Sequence, residues 1–286
     1  MNTATTSRIG LIGAGTMGNG IAQVCAMAGL SVRMIDIADA AVQRGVNTVA
    51  KNLDRLVAKD KLSAADKQAV LGRIAGGTDY AALKDCELVI EAATENVPLK
   101  LKILKQLDEL LGDKVAIATN TSSISITQLA AVVRNPGRFI GMHFFNPVPV
   151  MGLVELIRGL QTDDATHALS DAFVRRIGKT PVTVRNSPGF VVNRILCPMI
   201  NEAIFVLQEG LASAEDIDAG MRLGCNHPIG PLALADMIGL DTMLAVMEVF
   251  YEGFNDPKYR PAPLLKEMVA AGRLGRKSGH GFYHYG

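Results

Sequence analysis

Five histidines occur among the 286 residues, and one of them, His143, stands where an imidazole could act as a base. It closes the apolar run 139–142, which reads as a buried strand. The residues that follow, Phe144-Phe145-Asn146-Pro147-Val148-Pro149-Val150-Met151, carry two prolines one residue apart. These forbid helix and regular ladder pairing, so the chain must turn. A second apolar strand, 153–157, is interrupted by a single carboxylate, Glu155. An imidazole ending one strand and a carboxylate inside the next suggest a general base held by an orienting acid. The same residues also suit a satisfied strand-end histidine beside an unrelated edge glutamate. The rest of the chain must discriminate.

With 49% hydrophobic and 20% charged residues, the composition is ordinary for a soluble globular protein, and the length suits two domains. A formal net charge of +1 argues against a nucleic-acid binder held by bulk electrostatics. An anionic partner must therefore be met by a local patch. Cys25, Cys86, Cys197 and Cys225 are widely spaced, with no CxxC and no histidine at metal-ligand spacing. They read as reduced core thiols of a cytoplasmic protein with no metal site. The first strand is reached by Ile9, leaving no room for a signal peptide, and no apolar run spans a bilayer.

Arg8-Ile9-Gly10-Leu11-Ile12 reads as a short buried strand, Gly13-Ala14-Gly15-Thr16-Met17-Gly18 follows at once, and 21–28 continues at helical spacing. This is GxGxxG between strand and helix, the context a dinucleotide loop requires. Gly13 permits the tight turn, Gly15 lets the backbone approach a pyrophosphate, and Gly18 lets the helix lie close to the sheet. Free N–H groups at the helix start hold the phosphates. Asp36 ends the next strand, 32–35, where its carboxylate would accept hydrogen bonds from an adenosine ribose diol. It would repel a 2′-phosphate, and no Arg or Lys follows it closely, so NAD is expected over NADP.

Helices over 40–60 and 64–71 form an antiparallel arm longer than a plain crossover needs. Lys51, Arg55 and Lys59 recur every four residues; such a stripe is usually a solvated face and is here a candidate phosphate contact. A strand at 87–92 leads to Glu95 and a helix over 98–111, in whose first turns Lys100 opposes the helix dipole, favouring a ligand contact. A strand at 115–118 ends in Thr119-Asn120-Thr121-Ser122-Ser123. Open α/β sheets bind ligands at such strand ends, although turn and capping chemistry would use the same residues. A helix over 164–177 and a strand over 181–184 complete a first domain, 1–186. The second, 187–286, reads as all-helical: 190–209 with Asn193 in its first turn, then 215–223 and 232–254. Its apolar excess suggests burial against a second copy. The basic, glycine-rich tail around Lys277 reads as a loose end or a phosphate-contacting flap.

Together the motifs resemble the L-3-hydroxyacyl-CoA dehydrogenase family, in particular its single-function bacterial branch, over essentially the whole chain. The resemblance rests on Gly13-Ala14-Gly15-Thr16-Met17-Gly18, Glu91-Ala92-Ala93-Thr94-Glu95, Asn120-Thr121-Ser122-Ser123, His143-Phe144-Phe145-Asn146-Pro147, Ser187-Pro188-Gly189-Phe190-Val191-Val192-Asn193-Arg194 and Gly281-Phe282-Tyr283. It implies an α/β architecture: a Rossmann-type NAD-binding domain with a helical CoA-binding arm, then an all-α substrate and dimerisation domain. The implied reaction is reversible NAD-dependent oxidation of a short-chain (S)-3-hydroxyacyl-CoA to the 3-oxoacyl-CoA. His143 would be the base and Glu155 its orienting partner, with Ser122 and Asn193 bonding the substrate. The cofactor would be met by the glycine loop, Asp36, Glu95, Lys100, Asn120, Ser122, Asn146 and Lys277, and the CoA moiety by Asn52, Arg55 and Lys59. A cytoplasmic homodimer joined through the helical domain is implied, with no nucleic-acid or membrane partner. Two other readings stand beside it. One is a two-domain NAD dehydrogenase for free hydroxy acids, which would use a lysine base on the helical domain's first helix, where 193–209 holds none. The other is a non-catalytic protein that keeps the dinucleotide fold.

Overall fold

The computed structural model describes residues 7–286; the first six residues of the expected first domain lie outside the described residues. The chain divides into two compact units, Met1–Asn186 and Ser187–Gly286.

The first unit alternates strand and helix: β1 (Arg8–Ile12), α1 (Thr16–Met27), β2 (Ser31–Ile35), α2 (Asp39–Val57), α3 (Ala64–Gly72), β3 (Ile74–Gly77), β4 (Leu88–Glu91), α4 (Val97–Leu110), β5 (Ala116–Thr119), α5 (Ile126–Ala130), β6 (Phe139–Phe144), β7 (Leu153–Arg158), α6 (Asp164–Arg176) and β8 (Thr180–Arg185). One eight-stranded sheet runs in the order β3-β2-β1-β4-β5-β6-β7-β8. Strands β3 to β6 are parallel, and their near-continuous apolar composition follows from helices covering the sheet. β7 turns back, pairing antiparallel with β6, and β8 runs parallel to β7, so these two oppose the other six strands. The order reverses between β1 and β4, which makes a crevice at the carboxyl ends of those strands.

The sequence reading has no strand at 74–77. Its Ile-Ala-Gly-Gly composition lacks an apolar alternation, yet it pairs with β2 from Val32↔Ile74 to Ile35↔Gly77. The glycine has a packing reason: a Cβ on Gly76 would lie 2.2 Å from Cγ1 of Val42 on α2. The arm also departs from expectation. Helix α2 ends at Val57 with Ala58 as its cap, so Lys59 falls in the following turn and not on the Lys51–Arg55 face. Ser63 and Asn96 start α3 and α4 by accepting the N–H groups of Asp66 and Leu99.

The second unit is helical: α7 (Val192–Gln208), α8 (Ala214–Gly224), α9 (Pro231–Ile238), α10 (Leu240–Phe254) and α11 (Pro263–Ala270). Helix α7 begins two residues later than the sequence suggests because Gly189 and Phe190 both take left-handed backbone, φ +73° and +54°. Gly189 must also be small, since a Cβ there would lie 2.2 Å from the Phe250 ring. The stretch 232–254 is two helices, broken at Gly239 (φ +103°), and α11 adds one that the sequence reading lacks. The tail is not loose. Asp236, buried on α9, accepts from the N–H groups of Phe282 and Tyr283 and from the Tyr285 hydroxyl, each at 3.0 Å. Asp218 holds the start of α9 through the N–H groups of Leu232 and Ala233 and takes the Tyr283 hydroxyl as well.

Cys25, Cys86 and Cys197 are buried, and burial pushes their thiols up to about 12, 11 and 12. Cys225, expected in the core, is exposed just beyond α8. Among the described residues no helix is long and apolar enough to cross a membrane, and no cluster fit for a metal ion occurs.

Candidate active site

The three loop glycines separate into two kinds. A Cβ on Gly13 would meet the Ala92 carbonyl oxygen at 2.6 Å, and one on Gly18 would meet the Gly13 carbonyl oxygen at 1.9 Å. Both are therefore demanded by the fold. At Gly15 a Cβ would meet nothing within 4 Å, so its smallness serves the open side. That side is a cavity of about 500 Å³ lined by, among others, Gly15, Thr16, Asp36, Arg44 and Thr48. The first turn of α1 holds no acidic residue, which leaves its positive end for an anion. Asp36 sits at the rim, its Oδ2 accepting from the Ala14 N–H and its Oδ1 from the Ile37 N–H, each at 2.7 Å. Met17 instead packs against the core. These residues fit the adenosine and pyrophosphate of a dinucleotide.

The next strand ends continue the row. Glu95 follows β4, and its carboxylate accepts from the Thr121 hydroxyl (2.8 Å), the Ser122 N–H (2.7 Å) and the Ser122 hydroxyl (3.1 Å). Glu95 and Ser122 are thus in direct contact. Lys100 is only 1% exposed; its ammonium lies 2.5 Å from Glu91 Oε2, 3.3 Å from the Thr119 hydroxyl and 3.9 Å from Glu95. The charge that opposes the dipole of α4 is neutralised by Glu91 within the protein. Glu91, buried at the end of β4, has no role in the sequence reading beyond its place in the motif 91–95. A carboxylate closing an otherwise apolar strand is the signal that marks it.

His143 and Glu155 are opposite each other across β6 and β7. Glu155 Oε2 lies 2.8 Å from His143 Nδ1, with both side chains buried. The bond engages the ring through Nδ1. Asn120, at the end of β5, accepts the Phe144 N–H at 2.9 Å and so ties β5 to the strand that carries His143. The Phe145 ring packs on the imidazole, centroids 4.5 Å apart. Asn146 follows at the surface. Lys179 donates to the carbonyls of Val148 and Met151, both at 2.6 Å, pinning the loop between β6 and β7. Burial pulls its ammonium below the usual lysine value.

A second cavity, about 710 Å³, is lined in part by Asn52, Arg55, Pro149, Val150, Arg176 and Lys179. Asn52 donates to the Gln23 side chain at 3.2 Å. Lys59 is not among the residues lining it.

The second unit carries Asn193 in the first turn of α7. Its neighbour Arg194 stacks on Phe254 and Tyr259, 3.7 and 4.4 Å from the ring centroids, which fixes that helix start. Lys277 is paired within its own unit, with Nζ 2.5 and 2.6 Å from the two Asp241 oxygens.

A glycine loop at a strand-order reversal, an aspartate closing the second strand and a buried histidine–carboxylate pair are features expected of a nicotinamide-dependent oxidoreductase. Residues 8–187 match the 3-hydroxyacyl-CoA dehydrogenase NAD-binding domain and 189–285 match the C-terminal domain of that family. The chain is 52% identical to a probable 3-hydroxybutyryl-CoA dehydrogenase of Deinococcus radiodurans, covering 97% of this chain and 100% of the relative. It is 51% identical to a 3-hydroxybutyryl-CoA dehydrogenase of Bradyrhizobium diazoefficiens, with 99% and 96% covered. The crystal structure of (S)-3-hydroxybutyryl-CoA dehydrogenase from Ralstonia eutropha superposes with a TM-score of 0.97 at 69% identity, over 98% of this chain and 99% of that one. The chain belongs to the 3-hydroxyacyl-CoA dehydrogenase family. It is an NAD-dependent dehydrogenase with a Rossmann-type domain followed by a helical one.

Proposed function

We propose that the protein interconverts (S)-3-hydroxybutyryl-CoA and acetoacetyl-CoA, with His143 as general base. The observation that carries the proposal is the 2.8 Å bond from Glu155 to His143 Nδ1. It holds the ring through Nδ1, which assigns the base role to Nε2, and would stabilise the imidazolium that forms when the 3-hydroxyl proton is taken. NAD, when bound, supplies the acceptor for the hydride that leaves C3 as that proton moves to His143 and the C–O bond becomes a carbonyl. Ser122, held by Glu95, bonds the substrate oxygen. Asn193 is offered as a second donor on the strength of its motif. Each donor is worth on the order of 10² in rate.

The glycine loop and Asp36 hold the adenosine half of the cofactor, and Glu95, Asn120 and Asn146 stand toward its nicotinamide half. Lys100 acts there through its place between Glu91 and Glu95, and Lys277 is the contact proposed from the tail. The cavity with Asn52, Arg55 and Arg176 offers cations to the CoA phosphates; Lys59, beyond α2, is left to an outer contact. Exposed Ile195, Leu211 and Leu223 on the helical unit support a homodimer; a cytoplasmic location with no nucleic-acid or membrane partner belongs to the same proposal.

The test follows NADH absorbance at pH 7 with acetoacetyl-CoA and with free acetoacetate. Consumption with the thioester alone is expected. Equal rates point to a free-acid dehydrogenase, and NADH binding without consumption to a non-catalytic protein. Light scattering in solution tests the dimer.

A further inference from the structure

The expectation of NAD over NADP rests on Asp36 and on the absence of a nearby cation in sequence. Folding returns one. Ala41, Arg44, Gly45 and Thr48 share a face of α2 and line the same cavity as Asp36 and Ile37. The helix lies close there because Gly45 has no Cβ; one would sit 2.7 Å from the Ala14 carbonyl oxygen. Arg44 forms no ion pair with Asp36 among the described residues. The Asp36 carboxylate is instead held by two backbone donors, the N–H groups of Ala14 and Ile37. Ile37, on the rim of this cavity, is itself 94% exposed.

Two N–H groups already gathered around one anion, with a guanidinium in the same cavity, are the donors that bind a phosphate. We infer that the end of β2 is a 2′-phosphate site kept shut by Asp36 alone, with Arg44 as its built-in cation. The carboxylate occupies the donors and repels a second anion, so selectivity comes from a charge set against the wrong cofactor. Removing it frees both N–H groups where a 2′-phosphate would enter. This inference rests on reading the cavity as the adenosine site of the dinucleotide.

The experiment titrates NADH and NADPH by fluorescence, and follows turnover with acetoacetyl-CoA, for wild type, Asp36→Ser, Asp36→Asn and Asp36→Ser/Arg44→Ala. In Asp36→Ser the affinity ratio of NADPH to NADH should rise by about 10² or more. The double variant should lose about tenfold in NADPH affinity while binding NADH as Asp36→Ser does. Asp36→Asn keeps an acceptor for the loop N–H groups and removes the charge, so it should show a smaller rise even if the serine variant folds poorly. No gain for NADPH in either folded Asp36 variant, or a gain that survives loss of Arg44, overturns the proposal. Wild-type protein that binds no NADH would instead overturn the reading of the cavity.

Discussion

Glu155 stands directly across the β6–β7 pair from His143, and the two side chains meet at 2.8 Å in a buried site. The carboxylate thus reaches the imidazole by strand register, with no help from a flexible loop. His143→Ala should lower turnover by about 10³, while NADH affinity, read by fluorescence titration, stays within about threefold. A large loss of NADH binding would make His143 structural.

Glu155→Gln keeps the shape and removes the charge. Acetoacetyl-CoA reduction should slow by about 10² or more while NADH affinity, read by fluorescence titration, stays near wild type. Unchanged turnover would reduce Glu155 to a packing residue.

Gly15→Ala and Gly18→Ala should differ in kind. The first adds a methyl where no protein atom lies within 4 Å, and the second adds one 1.9 Å from the Gly13 carbonyl oxygen. Gly15→Ala should keep the wild-type melting temperature and lose about tenfold or more in NADH affinity. Gly18→Ala should lose both, by thermal denaturation and titration.

The Glu91–Lys100 pair is buried at 0% and 1% exposure. Lys100→Met would leave the Glu91 charge buried with only the Ala93 N–H and the Thr119 hydroxyl to hold it, at a cost of about 3–5 kcal/mol, whereas Glu91→Leu/Lys100→Met should recover much of that. Urea denaturation of the single and double variants measures both. Equal stabilities for wild type and Lys100→Met would show that water reaches the pair.

The Lys277 hydrogen bond holds the Asp241 carboxyl below its usual range. A carboxyl lowered in the folded state contributes stability above its unfolded value, about 4, and loses it as pH falls through the folded value. The gap in melting temperature between wild type and Lys277→Met should therefore be small, widest near neutral pH, and closed in acid. A gap that grows in acid would contradict the pairing.

The dinucleotide loop and the two strands around His143 were legible because their signals are local: glycine spacing, apolar runs and paired prolines. What escaped depends on contacts distant in sequence. Strand β3 has no pattern of its own and exists because β2 and α2 sit beside Gly76. Lys100 read as a ligand contact because its partner Glu91 belongs to a different element. The tail read as a loose end or a flap because Asp236, which pins it, lies 46 residues before Phe282. Arg44 was within reach, for helical spacing alone puts it on a face with Ala41 and Thr48, but nothing in one dimension shows that this face turns toward Asp36.

The reversal of β7 has a consequence for how such a site can diverge. Residues 145–152 leave and re-enter the sheet beside the dyad, so their length and composition can change without altering which residues of β6 and β7 are neighbours. A slip of one residue in either strand would send Glu155 to the opposite face. Changes in the loop could therefore accumulate while His143 and Glu155 stay paired across the two strands.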